Sequence, residues 1–173
     1  MHLGVIGLGR MGRIVADRVV DAGHDVTAFD VSEDALADAR DAGIGTADSI
    51  PALADALGEG KRIWLMVPAG DPVDAALDEL EPHVDGDDVV VDGGNSHFED
   101  SIRRATATTA AYLDCGTSGG PAGAEHGFSL MVGGEQWAYD ELVPVFDAVA
   151  TGPEGHDRMG PAGSGHYVKM VHN

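Results

Sequence analysis

Three glycines spaced as Gly7-Leu8-Gly9-Arg10-Met11-Gly12 stand between a short apolar run, His2-Leu3-Gly4-Val5-Ile6, and a stretch of helical periodicity over 10–22. A strand that turns this tightly into a helix has few uses. Gly7 permits the turn, Gly9 leaves room for a diphosphate to reach the backbone, and Gly12 lets the helix lie close on the strand. The helix N-terminus then points its free N–H groups at an anion. Alone, such a spacing recurs by chance. Between a strand and a helix it reads as a dinucleotide fingerprint, with a plain βα turn as the competing reading.

The rest of the chain repeats the alternation. Apolar runs at 25–29, 62–67, 88–91, 111–114 and 128–132 read as strands. Helical patterns fill 49–57, 72–80, 98–110 and 135–149, and an Ala-rich one runs from an N-cap at Ser32 to Gly43. Runs apolar at every position suit strands covered on both faces. The fold class expected is α/β: a Rossmann-type, doubly wound, mainly parallel sheet with helices on both faces. Residues 1–160 form this domain, and a further helix starts after Gly160-Pro161, within 161–173.

The second discriminating position is Asp30, at the end of the second strand and 23 positions beyond Gly7. An acid near this spacing accepts hydrogen bonds from the adenosine ribose and repels a 2′-phosphate. Val31-Ser32-Glu33-Asp34 holds no cation to receive that phosphate. NAD is therefore expected rather than NADP. Gly58-Glu59-Gly60-Lys61 fails as a phosphate loop, because Asp55 and Arg62 occupy positions that need Gly and Ser or Thr. The eight histidines offer no ligand pair with a third partner nearby, so no metal site is expected. Cys115, the single cysteine, reads as a buried small hydrophobe.

Charge narrows the partners. Ten Lys and Arg stand against thirty Asp and Glu, a formal net charge of −20. Such a surface repels nucleic acid and anionic membranes, and no apolar run is long enough to span a bilayer. The acids are spread along the chain, which suits a high-salt cytoplasm where screening removes their repulsion. One cysteine and no visible signal peptide point to the same compartment.

Three segments put small and polar residues where a packed core would not: Asp92-Gly93-Gly94-Asn95-Ser96, Gly116-Thr117-Ser118-Gly119-Gly120 and Lys169-Met170-Val171-His172-Asn173. The first two follow strands, at the sheet edge where this fold binds ligands. The third sets Lys169 and Asn173 on one helix face. Together with 7–12, Met-Val-Pro-Ala-Gly at 66–70 and Ser-Leu-Met-Val-Gly-Gly at 129–134, they resemble the β-hydroxyacid dehydrogenase family over the whole chain. Asp-Gly-Gly-Asn-Ser and Lys-Met-Val-His-Asn look like its 6-phosphogluconate branch. The 3-hydroxyisobutyrate branch has Ser-Thr for Asn-Ser and a Lys-x-x-Asn-Asn ending.

The resemblance implies NAD-dependent oxidative decarboxylation of 6-phosphogluconate to ribulose 5-phosphate and CO₂. It assigns Lys169 as the base that takes the hydroxyl proton. It gives Asn95, Ser118, Gly119, Gly120, His172 and Asn173 to the substrate. The fingerprint 7–12 and Asp30 would hold the cofactor, with Val67, Pro68, Ala69 and Asn95 along its nicotinamide side. A general-acid glutamate, an all-helical domain with further phosphate contacts and a homodimer interface are expected beyond Asn173. Residues 1–173 alone should bind NAD without turnover. One departure is Pro121, where many relatives have Glu; it bears on the nicotinamide-side contacts. Another β-hydroxyacid dehydrogenase and a non-catalytic dinucleotide-binding module stay open as alternatives.

Overall fold

Successive strand residues point to opposite faces, so strands apolar at every position need helices on both sides. The computed structural model describes residues 1–173, the side chain of Pro121 excepted, and has that layering. The departure noted at Pro121 therefore lies outside the described residues.

The first half runs β1 (His2–Ile6), α1 (Arg10–Asp21), β2 (Asp25–Phe29), α2 (Glu33–Asp41), β3 (Gly45–Thr46), α3 (Ile50–Leu57), β4 (Arg62–Leu65) and α4 (Asp71–Leu80). The second runs β5 (Val89–Asp92), α5 (Phe98–Ala107), β6 (Ala111–Ser118), α6 (Gly123–His126), β7 (Ser129–Gly133), α7 (Gln136–Val149), β8 (His156–Gly160) and α8 (Ser164–His172). The strands form one sheet in the order β3-β2-β1-β4-β5-β6-β7-β8. Strands β1 to β6 are parallel, β7 pairs antiparallel with β6, and β8 lies parallel to β7. This is a Rossmann-type arrangement, as the alternation of elements predicts.

The core divides by strand parity. Leu3, Val5, Trp64, Val89, Val91, Leu113 and Cys115 pack against α1, α2 and α7. Ile6, Ile63, Leu65, Val90 and Tyr112 meet α3 and α4 on the other face. Local signals set the helix ends. Ser32 and Ser49 accept N-cap bonds from Ala35 N and Ala52 N, and Gly23 and Gly43 follow α1 and α2 with positive φ. Arg18 of α1 donates to the carbonyls of Ala148 and Ala150, at the end of α7.

Three expectations need correction. Two strands are additional: β3 has only two residues, too few for periodicity, and β8 reads His-Asp-Arg-Met-Gly, an edge strand with no apolar run. Gly116-Thr117-Ser118 is not a loop but the end of β6, because β7 supplies the partners Gly116↔Met131, Thr117↔Leu130 and Ser118↔Ser129. Finally, α5 stops at Ala107 rather than 110, where Thr108 turns extended and Glu81 accepts from Thr109 N. Boundaries elsewhere move by one or two residues.

Helix α8 is the least obvious element. It packs on β6 and β7, and its N-terminus is held by Asp114, a fully buried strand residue. Asp114 Oδ1 accepts from Gly163 N at 2.6 Å and Oδ2 from His166 N at 2.8 Å. A carboxylate at a helix start meets both the orphan N–H groups and the positive end of the dipole.

Candidate functional site

The sheet places three loops side by side. Gly7 N donates to Phe29 O, Met66 N to Ile6 O and Gly93 N to Leu65 O, at 2.8, 2.8 and 2.9 Å, so the parallel ladder continues one residue past β1, β4 and β5. The chain order reverses between β1 and β4, and that switch point opens a crevice at the carboxyl edge.

The fingerprint forms one wall. Gly7 has φ +99°, and a Cβ there would lie 2.3 Å from Met66 O. A Cβ on Gly12 would lie 1.9 Å from Gly7 O, so only glycine lets α1 approach. At Gly9 a Cβ would meet nothing within 4 Å: the backbone faces open space at the start of α1. Free N–H groups beside open space are what a diphosphate needs. Leu8 is buried, Met11 half-buried against the core, and Arg10 exposed at the first helical position.

Asp30 faces the same crevice. Its Oδ2 accepts from Leu8 N at 2.6 Å and its Oδ1 from Ser32 N at 2.8 Å. Each carboxylate oxygen keeps a further lone pair for a ribose hydroxyl. The crevice is about 550 Å³, with Gly7, Gly9, Asp30, Val67 and Pro68 in its walls. Ala69 is exposed and outside that lining. Val31, Ile50, Pro72 and Ala76, which no sequence motif singles out, complete an apolar wall with Met66. The amphipathic faces of α3 and α4 are the sequence signal for Ile50, Pro72 and Ala76.

A second cleft, about 290 Å³, lies where the loop after β5 meets α8, and Asn95, Ser96, His166, Lys169 and Asn173 line it. Lys169 starts close on the sheet, since a Cβ on Gly116 would lie 2.5 Å from Lys169 Cβ. Its Nζ donates to Asn173 Oδ1 at 3.4 Å. Lys169, Asn173 and Asn95 therefore converge. Ser118, Gly119, Gly120 and His172 do not line this cleft: Ser118 is half-buried at the end of β6, and the others are exposed.

Buried polar groups hold the loop that carries Asn95. Asp92 accepts from Gly94 N, Ser96 Oγ and Tyr112 OH at 3.1, 2.6 and 2.7 Å. Arg104, 1% exposed, donates to Ser96 Oγ, to Gly70 O and to both oxygens of Asp74. It thereby links the loop after β4 to the loop after β5. The Arg104 hydrogen bond holds the Asp74 carboxyl below its ordinary value, although partial burial opposes it and Arg103 assists. Burial pushes the Tyr112 phenol up, and the Asp92 charge adds to this. Burial likewise raises the Cys115 thiol, which suits an inert core residue on the far face.

His166 was also missed. It is 3% exposed; its Nε2 lies 3.0 Å from Gly94 O and its Nδ1 2.7 Å from Ser101 Oγ. Its spacing of three from Lys169 was legible, but its burial was not.

The charges sort themselves. Six of the ten Lys and Arg residues pair with acids: Arg13, Arg40, Lys61, Arg62, Arg103 and Arg104. Arg18 and Arg158 bond main-chain carbonyls. Among the described residues, Arg10 and Lys169 have neither kind of partner; Lys169 lines the second cleft, and Arg10 follows Gly9, which lines the first. No group of three or more His, Cys, Asp or Glu among the described residues is placed to hold a metal ion.

Comparison with known proteins adds a family. Residues 2–160 match the family described as the NAD binding domain of 6-phosphogluconate dehydrogenase. The chain is 78% identical over its full 173 residues to the NAD(+)-dependent, decarboxylating 6-phosphogluconate dehydrogenase of Haloferax volcanii, and spans 58% of that protein's length. A Plasmodium falciparum 6-phosphogluconate dehydrogenase structure, described in apo form and with NADP+ and 6-phosphogluconate, superposes with TM-score 0.90 at 28% identity. It is matched by all of this chain, over 40% of its own. A Mycobacterium tuberculosis 3-hydroxyisobutyrate dehydrogenase gives TM-score 0.86 at 25% identity, over 99% of this chain and 58% of that one.

Proposed function

Since the chain belongs to the family of NAD-binding domains of 6-phosphogluconate dehydrogenase, we propose that it is the cofactor half of an NAD-dependent enzyme that oxidatively decarboxylates 6-phosphogluconate to ribulose 5-phosphate and CO₂. The observation that carries this reading is the switch-point crevice, where the open backbone at Gly9 and the carboxylate of Asp30 face one space.

The residues fit the cofactor. Residues 7–12 hold the diphosphate at the start of α1, where Arg10 adds a free cation. Asp30 accepts from the adenosine ribose and repels a 2′-phosphate, which selects NAD over NADP. Val67, Pro68, Ala69 and Asn95 lie toward the nicotinamide end. When bound, NAD supplies the hydride acceptor. Lys169 takes the proton of the β-hydroxyl and must be neutral when it acts. Asn95 and Asn173 orient the substrate beside it, with Ser118, Gly119, Gly120 and His172 contributing from the rim. Helix α8 and the loop after β5 thus bring base and substrate contacts to one cleft.

The same reading gives the partners: a sugar-acid phosphate as substrate, no nucleic acid for a chain of net charge −20, and a homodimer formed outside residues 1–173. It also gives a cytoplasmic location. No helix among the described residues is long and apolar enough to cross a membrane.

The test is an assay of the full-length gene product in high salt, offering 6-phosphogluconate and 3-hydroxyisobutyrate, each with NAD and NADP. Oxidation of 6-phosphogluconate with NAD, and its loss in Lys169→Met at nearly unchanged NAD affinity, is the expected result. Turnover of 3-hydroxyisobutyrate alone, a preference for NADP, or a Lys169→Met enzyme of near-normal rate would overturn it.

A further inference from the structure

Lys169 and Asn95 reach the cleft from different elements, α8 and the loop after β5, and something must fix one against the other. The sheet fixes α8. A Cβ on Gly165 would lie 2.3 Å from Met131 O and 2.5 Å from Asp114 O, so the helix rests on the strand backbones. Asp114 holds its first turn through Gly163 N and His166 N. The loop after β5 is fixed from beneath by Asp92 and Arg104. One side chain in the cleft wall spans the remaining gap.

That side chain is His166. Its Nε2 lies 3.0 Å from Gly94 O, the carbonyl that precedes Asn95. A carbonyl only accepts, so Nε2 carries the proton and donates. In the neutral ring Nδ1 is then an acceptor, and Ser101 Oγ donates to it at 2.7 Å. Another acceptor for that hydroxyl, His97 O, is 3.4 Å away, farther than Nδ1. Both ring nitrogens are thus engaged, and neither is free to act on a ligand.

We infer that His166 is a positioning residue, whose buried ring ties the Gly94 carbonyl to helix α8 and so sets Asn95 against Lys169. This rests on the dehydrogenase reading above. His166 touches neither reacting atom; it fixes the distance between two groups that do. Misplacing such groups by about 1 Å costs about a hundredfold in rate.

The experiment compares His166→Leu, His166→Gln and His166→Asn in the full-length gene product, with kcat, KM, NAD affinity by titration and the thermal midpoint read on each. His166→Leu is expected to lose about a hundredfold in kcat, with NAD affinity within about twofold because the diphosphate and ribose contacts lie elsewhere. Glutamine carries an N–H that reaches Gly94 and an oxygen for Ser101, whereas asparagine is one methylene short. Gln is therefore expected to exceed Asn in kcat by about tenfold. That comparison decides the matter even if the Leu variant fails to fold. A lower thermal midpoint with unchanged kcat per folded molecule, or equal rates for Gln and Asn, overturns the positioning role. A parent enzyme that binds NAD but does not oxidise 6-phosphogluconate overturns the underlying reading instead, and this inference with it.

Discussion

Asp30 does two jobs with one carboxylate. It accepts from Leu8 N and Ser32 N, tying the fingerprint turn to the end of β2, and it faces the crevice where a ribose would lie. Asp30→Asn keeps the shape, removes the charge and sets an N–H against those amides. Hydrogen bonds to a charged group contribute about 1.5–3 kcal/mol each, so NAD affinity is expected to fall by roughly tenfold or more. With no charge left to repel a 2′-phosphate, NADP should lose less. Titration of both coenzymes checks this, and an unchanged NAD-to-NADP ratio removes Asp30 from the selectivity argument. Tyr112 carries a pH prediction. Its phenol is raised in the folded chain, by burial first and the Asp92 charge second, so the folded state favours the neutral form. That contribution is complete below about pH 10, the ordinary tyrosine value, and is lost as pH rises beyond it. Urea unfolding between about pH 9 and 11 should lose stability, with a shallower slope in Tyr112→Phe.

Helix α8 shows how an element of weak local signal is fixed by its surroundings. It begins after Gly163, has no side-chain cap of its own and carries no acid in its first turn. Asp114, on a strand far away in sequence, supplies the missing acceptor. Asp114→Ala would strand two N–H groups at a buried helix start, at about 1–3 kcal/mol for each unsatisfied group. Asp114→Asn keeps one acceptor and should cost less. Urea unfolding of both variants measures the difference, and equal stability to the parent would show that α8 is held by packing alone. Helix α7 makes the complementary point. Pro144 interrupts its bond pattern, yet the helix runs through, with Pro144 on the exposed side and Leu142, Val145 and Phe146 buried. Burial of that apolar face outweighs the lost hydrogen bond.

Across the whole molecule the charges set the conditions for folding. Thirty acids face ten cations, and six of those cations are already paired with acids. The remaining acids repel one another over distances that salt controls. The Debye length falls from about 10 Å at 0.1 M to about 3 Å at 1 M. The thermal midpoint is therefore expected to rise between those concentrations. A flat dependence would show that burial dominates and that the acidic surface costs little. The same field acts on ligands, because a phosphorylated acid approaches an anionic protein. Arg10 and Lys169, the two cations left without an acidic or main-chain carbonyl partner among the described residues, stand where such anions are proposed to bind.

The fingerprint, the N-cap at Ser32 and the apolar runs were legible in the sequence because each depends on neighbours within a few residues, and Asp30 because one βαβ unit fixes its spacing from Gly7. A turn needs its glycine, a helix start its acceptor, and a doubly covered strand its unbroken apolar run, whatever the rest of the chain does. Strand β8, the extension of β6 through Ser118, and the roles of Asp114, Arg104 and His166 were decided only by the tertiary structure. Their hydrogen-bond partners lie on other elements, up to 72 positions away in the case of His166 and Gly94. A polar residue becomes a strap or a cap only when folding removes water and leaves that distant partner as its remaining choice.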